Sequence, residues 1–164
     1  MIILGIDPGY GTTGFGIIET DGQSFDVLDF GVITTSPKTD RLDRVIETVK
    51  DLAALAKEFK PDQIAIEELF FSKNVSTAMQ VAESRGAIIY EFSRQKYPIY
   101  QYKPNQIKMA VCGYGNAPKI QIQQMVKLML NLDQIPKPDD AADALAIAIC
   151  HAGHLKNQKL NLHD

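Results

Sequence analysis

The sequence predicts an α/β fold: a five-stranded mixed sheet with helices on both faces. Three observations predict it. Residues 2–7 form a near-continuous apolar run, as expected of a strand covered on both sides. Two further strand patterns follow directly. From about residue 39 onward, strand patterns alternate with amphipathic helical ones. With 164 residues, 45% of them hydrophobic and 23% charged, the chain suits one globular domain. That domain is read as residues 1–155, with a polar, frayed tail over 156–164.

The first run ends at Asp7, and Pro8-Gly9-Tyr10-Gly11 turns the chain. Residues 13–20 and 25–34 read as strands joined by Asp21-Gly22-Gln23, so the opening is an antiparallel meander. Leu42, Val45, Ile46, Val49, Leu52, Ala53 and Ala56 recur at helical spacing and predict a helix over about 39–58, broken by Pro61-Asp62. Residues 63–67 form a short buried strand that ends at two carboxylates, Glu67 and Glu68. Phe70, Phe71 and Ser72 fall in a loop. A second helix is expected over 75–96 and a fifth strand over 98–102. Pro104 to Val111 suits a short helix, and Pro118 is tolerated in the first turn of the next, which runs to about Leu130. Asp139 or Asp140 can cap a last helix that ends near Leu155.

Several function classes are disfavoured. No apolar stretch approaches the ~20 residues of a membrane span. The apolar N-terminal run lacks the basic flank of a secretion signal. Cys112 and Cys150, far apart and without an export signal, are expected to be reduced thiols in a cytoplasmic protein. The net charge of −3 argues at first against a polyanionic partner, but it is unevenly spread. Residues 1–70 carry 13 acidic and 6 basic side chains, whereas residues 71–131 carry 8 basic and 2 acidic ones. Phosphate binding responds to the local patch rather than the total. Solvated helix faces would produce the same distribution.

Four carboxylates occupy special places. Asp7 ends the first strand and Glu67 the fourth, while Asp140 and Asp143 stand three apart on one helix and share a face. Functional groups in α/β folds gather beyond strand ends. If the first and fourth strands are neighbours, Asp7 and Glu67 lie side by side. The small residues Ala141, Ala142, Ala146 and Ala148 let the last helix come close to them. Clustered carboxylates repel one another unless a cation is present. Hard oxygen donors suit Mg²⁺ or Mn²⁺ rather than zinc. Two such ions roughly 4 Å apart can activate a water and stabilise a leaving 3′ oxygen. An ordinary acidic helix start, favoured by the macrodipole, would look the same from spacing alone. His151 and His154 lack further ligands at zinc-binding spacing and are expected to end the last helix near its negative pole.

Ile3-Leu4-Gly5-Ile6-Asp7-Pro8-Gly9, Ala65-Ile66-Glu67-Glu68-Leu69-Phe70 and the run from Asp140-Ala-Ala-Asp143 to Ile149 resemble the motifs of the RuvC family, bacterial Holliday-junction resolvases. Lys73-Asn74, Ser84-Arg85-Gly86 and Gly113-Tyr-Gly115 fit the same pattern, and the resemblance spans roughly residues 1–155. It implies an RNase H-like fold, a homodimer, and paired, symmetric, Mg²⁺-dependent incisions in four-way DNA junctions, with two ions per active site. It assigns the metal-ligand roles to Asp7, Glu67, Asp140 and Asp143. Phe70 matches an aromatic that stacks on bases at the junction centre, while Lys108 and Lys119 match basic residues near the scissile phosphate. Lys119 is thereby a candidate catalytic residue, and Lys73 and Arg85 join the DNA contacts. The family works with RuvA and RuvB, a junction-binding protein and a branch-migration ATPase. An apolar stripe on the second helix (Ala78, Val81, Ala82, Ile88, Ile89 and Phe92) is the expected dimer interface; it equally suits the subunit's own core, where some of it must lie.

The chain departs from the family in being acidic where many relatives are strongly basic, which predicts DNA binding that is weaker or more sensitive to salt, according to how many phosphates are contacted. Tyr10 is an aromatic where smaller residues are common. Three other readings stay open on sequence. The loop Asp7-Pro-Gly-Tyr-Gly-Thr-Thr-Gly14 resembles the phosphate loop of actin-like kinases, although those need two such domains. A related RNA-directed nuclease, such as an RNase H, is the second. A non-catalytic junction-binding module is the third, and it would be expected to lack at least one of the four acids.

Overall fold

A computed structural model describes residues 1–69 and 75–160. Its elements are β1 (Ile2–Asp7), β2 (Thr12–Thr20), β3 (Phe25–Thr34), α1 (Arg41–Phe59), β4 (Gln63–Glu67), α2 (Val75–Arg94), β5 (Ile99–Tyr102), α3 (Pro104–Cys112), α4 (Lys119–Met129) and α5 (Asp139–Leu160). The strands form one sheet in the order β3-β2-β1-β4-β5. β1, β2 and β3 pair antiparallel as the meander requires. β4 and β5 join parallel to β1, because a helix carries the chain back before each of them.

Alternation along β1 and β4 sorts the core into two layers. Leu4, Ile6, Ile64 and Ile66 face α1 and α2, together with Leu52, Ala56, Ile88 and Phe92. Ile3 and Ala65 face the other side, with α3, α4 and the buried residues of α5. Asp7 and Glu67 follow the odd-numbered parity, so both carboxylates emerge on the α5 side. Of the apolar stripe on α2, Ile88 and Phe92 are fully buried inside the subunit and Ala78, Val81, Ala82 and Ile89 are half-buried; Met79 and Tyr90, outside that stripe, are exposed.

Local signals set the helix ends. Asp40 accepts a hydrogen bond from Leu42 N at the start of α1, and Lys60 closes it in a left-handed conformation just before Pro61. Pro104 opens α3, where the Gln106 side chain accepts from Lys103 N at 2.8 Å. Asp139 and Asp140 are the first two residues of α5 rather than its cap. In that first turn they complement the helix dipole.

α5 continues to Leu160, five residues beyond the expected end at Leu155. Lys156, Gln158, Lys159 and Leu160 are good helix formers and nothing before Leu160 breaks the helix. The two histidines are therefore not at a helix end, and the expectation of a polar terminus fails for a packing reason. His151 is fully buried. The Tyr102 hydroxyl lies 2.6 Å from its Nδ1, and its Nε2 lies 2.6 Å from Gln63 Oε1. A neutral ring that accepts from Tyr102 and donates to Gln63 satisfies both contacts. Burial accordingly pushes the His151 pKa down to about 4. Tyr10 also finds its reason here: the Arg44 guanidinium stands 4.1 Å from the centroid of its ring, while Arg44 Nε donates to Thr35 Oγ1 at 3.0 Å. Cys112 and Cys150 are unpaired thiols, and no helix among the described residues is long and apolar enough to cross a membrane.

Candidate active site

Strand pairing brings the first two acids together. Ile6 and Ile66 are the last partners of the parallel β1–β4 ladder, so Asp7 and Glu67 leave adjacent strands side by side. The turn after Asp7 is tied down by Thr13, whose hydroxyl donates to Gly9 O at 3.2 Å and accepts from Gly9 N at 3.3 Å.

The other two acids arrive because α5 lies almost directly on the backbone of β1 and β2. A Cβ placed on Gly5 would meet Ala144 O at 2.2 Å, one on Gly16 would meet Leu145 N at 2.8 Å, and one on Gly14 would meet Asp140 O at 2.0 Å. Gly14 is the β2 partner of Asp7. The start of α5, and Asp140 with it, is thus seated beside Asp7 by a position that admits no side chain. The alanines of α5 mark a close-approach face in the sequence, but the matching strand glycines escape that pattern. Glycine inside a strand that is otherwise apolar is the signal that would have found them.

The electrostatics report the same convergence. Burial pushes the Asp7 carboxyl up to about 8, and the charges of Glu67, Asp143 and Asp140 add to the rise against an opposing effect of Lys119. Burial and then the Asp143 charge push Glu67 up to about 7, while a hydrogen bond from Asp7 and the cations Lys108 and Lys119 pull it back. The strand-end carboxyls therefore take up protons as a coupled pair rather than singly. Asp143 is raised by burial and by Asp140 and Asp139, with Lys119 opposing. Lys119 Nζ lies 3.0 Å from Asp143 Oδ2 and 3.5 Å from Asp139 Oδ2. Burial acts to lower its own pKa, but these two carboxylates outweigh it and the net shift is upward. Among the described residues, no three acidic, histidine or cysteine side chains are drawn tightly enough together to enclose a metal ion unaided. Lys119 serves as the counter-cation of Asp143 and Asp139.

Beside them opens a cleft of about 210 Å³, with Glu67, Asp143, Lys108 and Lys119 at its polar end and Ile107, Ile122, Ala146 and Ile147 among its apolar walls. Lys108 and Lys119, on α3 and α4, thus border the same space as two of the acids. Arg85 is engaged within the protein: its Nε donates to Glu67 O at 2.8 Å and its Nη2 bonds Gln101 Oε1. Phe70 and Lys73 lie outside the described residues.

The raised carboxyls make a prediction for the metal-free protein. For both Asp7 and Glu67 the folded pKa exceeds the unfolded one. The folded state then binds more protons across the interval, and stability falls as pH rises through about 8. His151, whose folded pKa is depressed to about 4, gives the opposite slope only below its ordinary value of 6.5. Between pH 6.5 and 8.5, thermal melts in EDTA should therefore show Tm declining, and Mg²⁺ should restore most at the alkaline end. A metal-free Tm that climbs over this window would contradict the buried-acid reading.

A family model described as crossover junction endodeoxyribonuclease RuvC matches residues 3–151. The crossover junction endodeoxyribonuclease RuvC of Petrotoga mobilis is 49% identical over 159 residues, covering 97% of this chain and 98% of its own length. That of Alkaliphilus metalliredigens is 50% identical over 159 residues, covering 96% and 97%. A structure of Thermus thermophilus RuvC in complex with Holliday junction substrate superposes with a TM-score of 0.91 at 33% identity, over 96% of each chain.

Proposed function

The chain belongs to the RuvC family, and we propose from this that it resolves Holliday junctions by hydrolysing phosphodiester bonds at paired, symmetric positions on strands of a four-way DNA junction. The observation that supports the reading is that Asp7 and Glu67 leave the ends of paired strands beside the start of α5, the helix of Asp140 and Asp143, whose close approach Gly14 permits.

Asp7, Glu67, Asp140 and Asp143 would hold divalent ions. The donor set fits Mg²⁺, with Mn²⁺ as a substitute, because all four donors are hard carboxylates and two of them are pushed above their ordinary pKa by burial and by neighbouring carboxylates, a repulsion that a bound cation would relieve. Two bound ions would supply an activated water and stabilise charge on the leaving 3′ oxygen. The protein contributes the placement. The rigid ends of β1 and β4 fix two ligands, and the first turns of α5 fix the others. Lys108 and Lys119 border the cleft where a backbone phosphate would lie, and Lys119 also steadies Asp143. A helix N-terminus, which Lys119 begins, adds N–H groups that favour an anion.

The enzyme is proposed to act as a homodimer, whose two sites match a two-fold symmetric junction. Leu42 and Ile46 on α1 and Met79 and Tyr90 on α2 are exposed apolar residues on packed helices and suit that contact. RuvA and RuvB are the partners expected from the family, in the cytoplasm.

The test is incubation with a mobile four-way junction, matched duplex DNA and an RNA–DNA hybrid, with and without Mg²⁺. Symmetric nicks in the junction alone, dependent on the ion, are expected. Hydrolysis of the hybrid with the junction left whole would favour an RNA-directed nuclease instead. Lys119→Ala removes both the counter-cation of Asp143 and a phosphate contact, and should slow single-turnover cleavage by about 10- to 100-fold. Unchanged rates would make Lys119 a solvated side chain.

A further inference from the structure

The parallel ladder between β1 and β4 is broken at the site by a proline. Glu68 N donates to Tyr102 O at 2.8 Å, so the preceding carbonyl, that of Glu67, points the other way, towards β1. With Ile6 opposite Ile66, the next β1 donor in register would be the N–H of residue 8. Residue 8 is Pro8, which has none. The Glu67 carbonyl is thus left without its rung at the residue whose side chain enters the carboxylate cluster. Arg85 supplies the substitute: its Nε lies 2.8 Å from Glu67 O. Gln101, one residue from the end of β5, takes its Nη2 and sets the guanidinium plane.

We propose that Arg85 is a positioning residue for the active site, replacing from α2 the backbone donor that Pro8 deletes and so fixing the Glu67 peptide and the direction of its carboxylate. It acts through Glu67 and is not a DNA contact. The inference rests on Glu67 being a metal ligand. It predicts a pattern unlike that of a phosphate-binding arginine. Loss of a DNA contact weakens junction affinity and reduces the salt slope of binding by about one. Loss of a support behind a metal ligand costs roughly 10- to 100-fold in activity or metal affinity.

The experiment compares wild type, Arg85→Ala, Arg85→Lys, Gln101→Leu and Glu67→Gln. The readouts are junction affinity against salt without a divalent ion, single-turnover cleavage, and the Mg²⁺ concentration for half-maximal rate. Arg85→Ala is expected to cleave at least about tenfold more slowly and to need more Mg²⁺, with affinity and salt slope unchanged. Arg85→Lys should recover part of the rate. Gln101→Leu, which keeps the positive charge and removes only its tether, should move rate and Mg²⁺ requirement the same way to a smaller extent, and it keeps the test decisive if Arg85→Ala does not fold. Wild-type cleavage by Arg85→Ala, or a weaker affinity with a shallower salt slope, would overturn the inference. Glu67→Gln separates the two ideas: if it cuts normally, the ligand assignment itself is wrong, whatever Arg85 does.

Discussion

Asp7→Asn is expected to lower single-turnover junction cleavage by at least about 10³-fold while leaving junction binding intact, the order of loss seen when a group acting at the reacting centre is removed. Asparagine keeps the size of the side chain and one acceptor oxygen, so β1, its pairing with β2 and the Gly9–Thr13 turn should stand. What is lost is the charge. Asp7 is the most strongly raised carboxyl of the cluster, pushed to about 8 by burial and three neighbouring acids. The same substitution should therefore raise the metal-free melting temperature at alkaline pH and flatten its decline between pH 6.5 and 8.5. Loss of cutting with a gain in metal-free stability separates a functional charge from a structural one. Normal cutting by this variant would remove Asp7 from the mechanism.

Gly14→Ala should disable the enzyme by geometry rather than chemistry. The added methyl would sit 2.0 Å from Asp140 O, a backbone atom that cannot swing aside. The first turn of α5 must lift from β2, separating Asp140 and Asp143 from Asp7 and Glu67. Overpacking of this kind costs about 1–3 kcal/mol, and a displacement near 1 Å at a catalytic group about 100-fold in rate. Circular dichroism melts together with single-turnover rates check both. Gly153→Ala, on the same helix with open space around its Cβ, is the control. It should stabilise by up to about 1 kcal/mol, since alanine is the better helix former. A Gly14→Ala protein that melts and cuts like wild type would contradict the role of Gly14 in seating α5 on β2.

Much of this architecture was legible because period-2 and period-3.6 patterns are local properties. All five strands and five helices fall near the residues the patterns assign. The position of Asp7 and Glu67 followed from their place at strand ends, on the condition that the first and fourth strands are neighbours; their common face came with the register of β1 and β4. What stayed hidden depends on contacts distant in sequence. His151 reads as one more polar residue late in a helix until Tyr102 and Gln63, from two strands, close around it. Arg85 looks like any surface cation until the register shows which carbonyl Pro8 has orphaned. Tyr10 makes sense only beside Arg44. The net charge says nothing of the cleft that Lys108 and Lys119 border together with Glu67 and Asp143. Charge sums ignore folding, whereas phosphate responds to the nearest few ångströms.

The most direct test is crystallographic. The wild-type protein, crystallised and soaked in Mn²⁺, should give anomalous density between the Asp7, Glu67, Asp140 and Asp143 carboxylates, with Asp143 released from Lys119 to meet it. Mn²⁺ bound elsewhere on the surface, at concentrations that support junction cleavage and with these four side chains untouched, would contradict the assignment of the metal site.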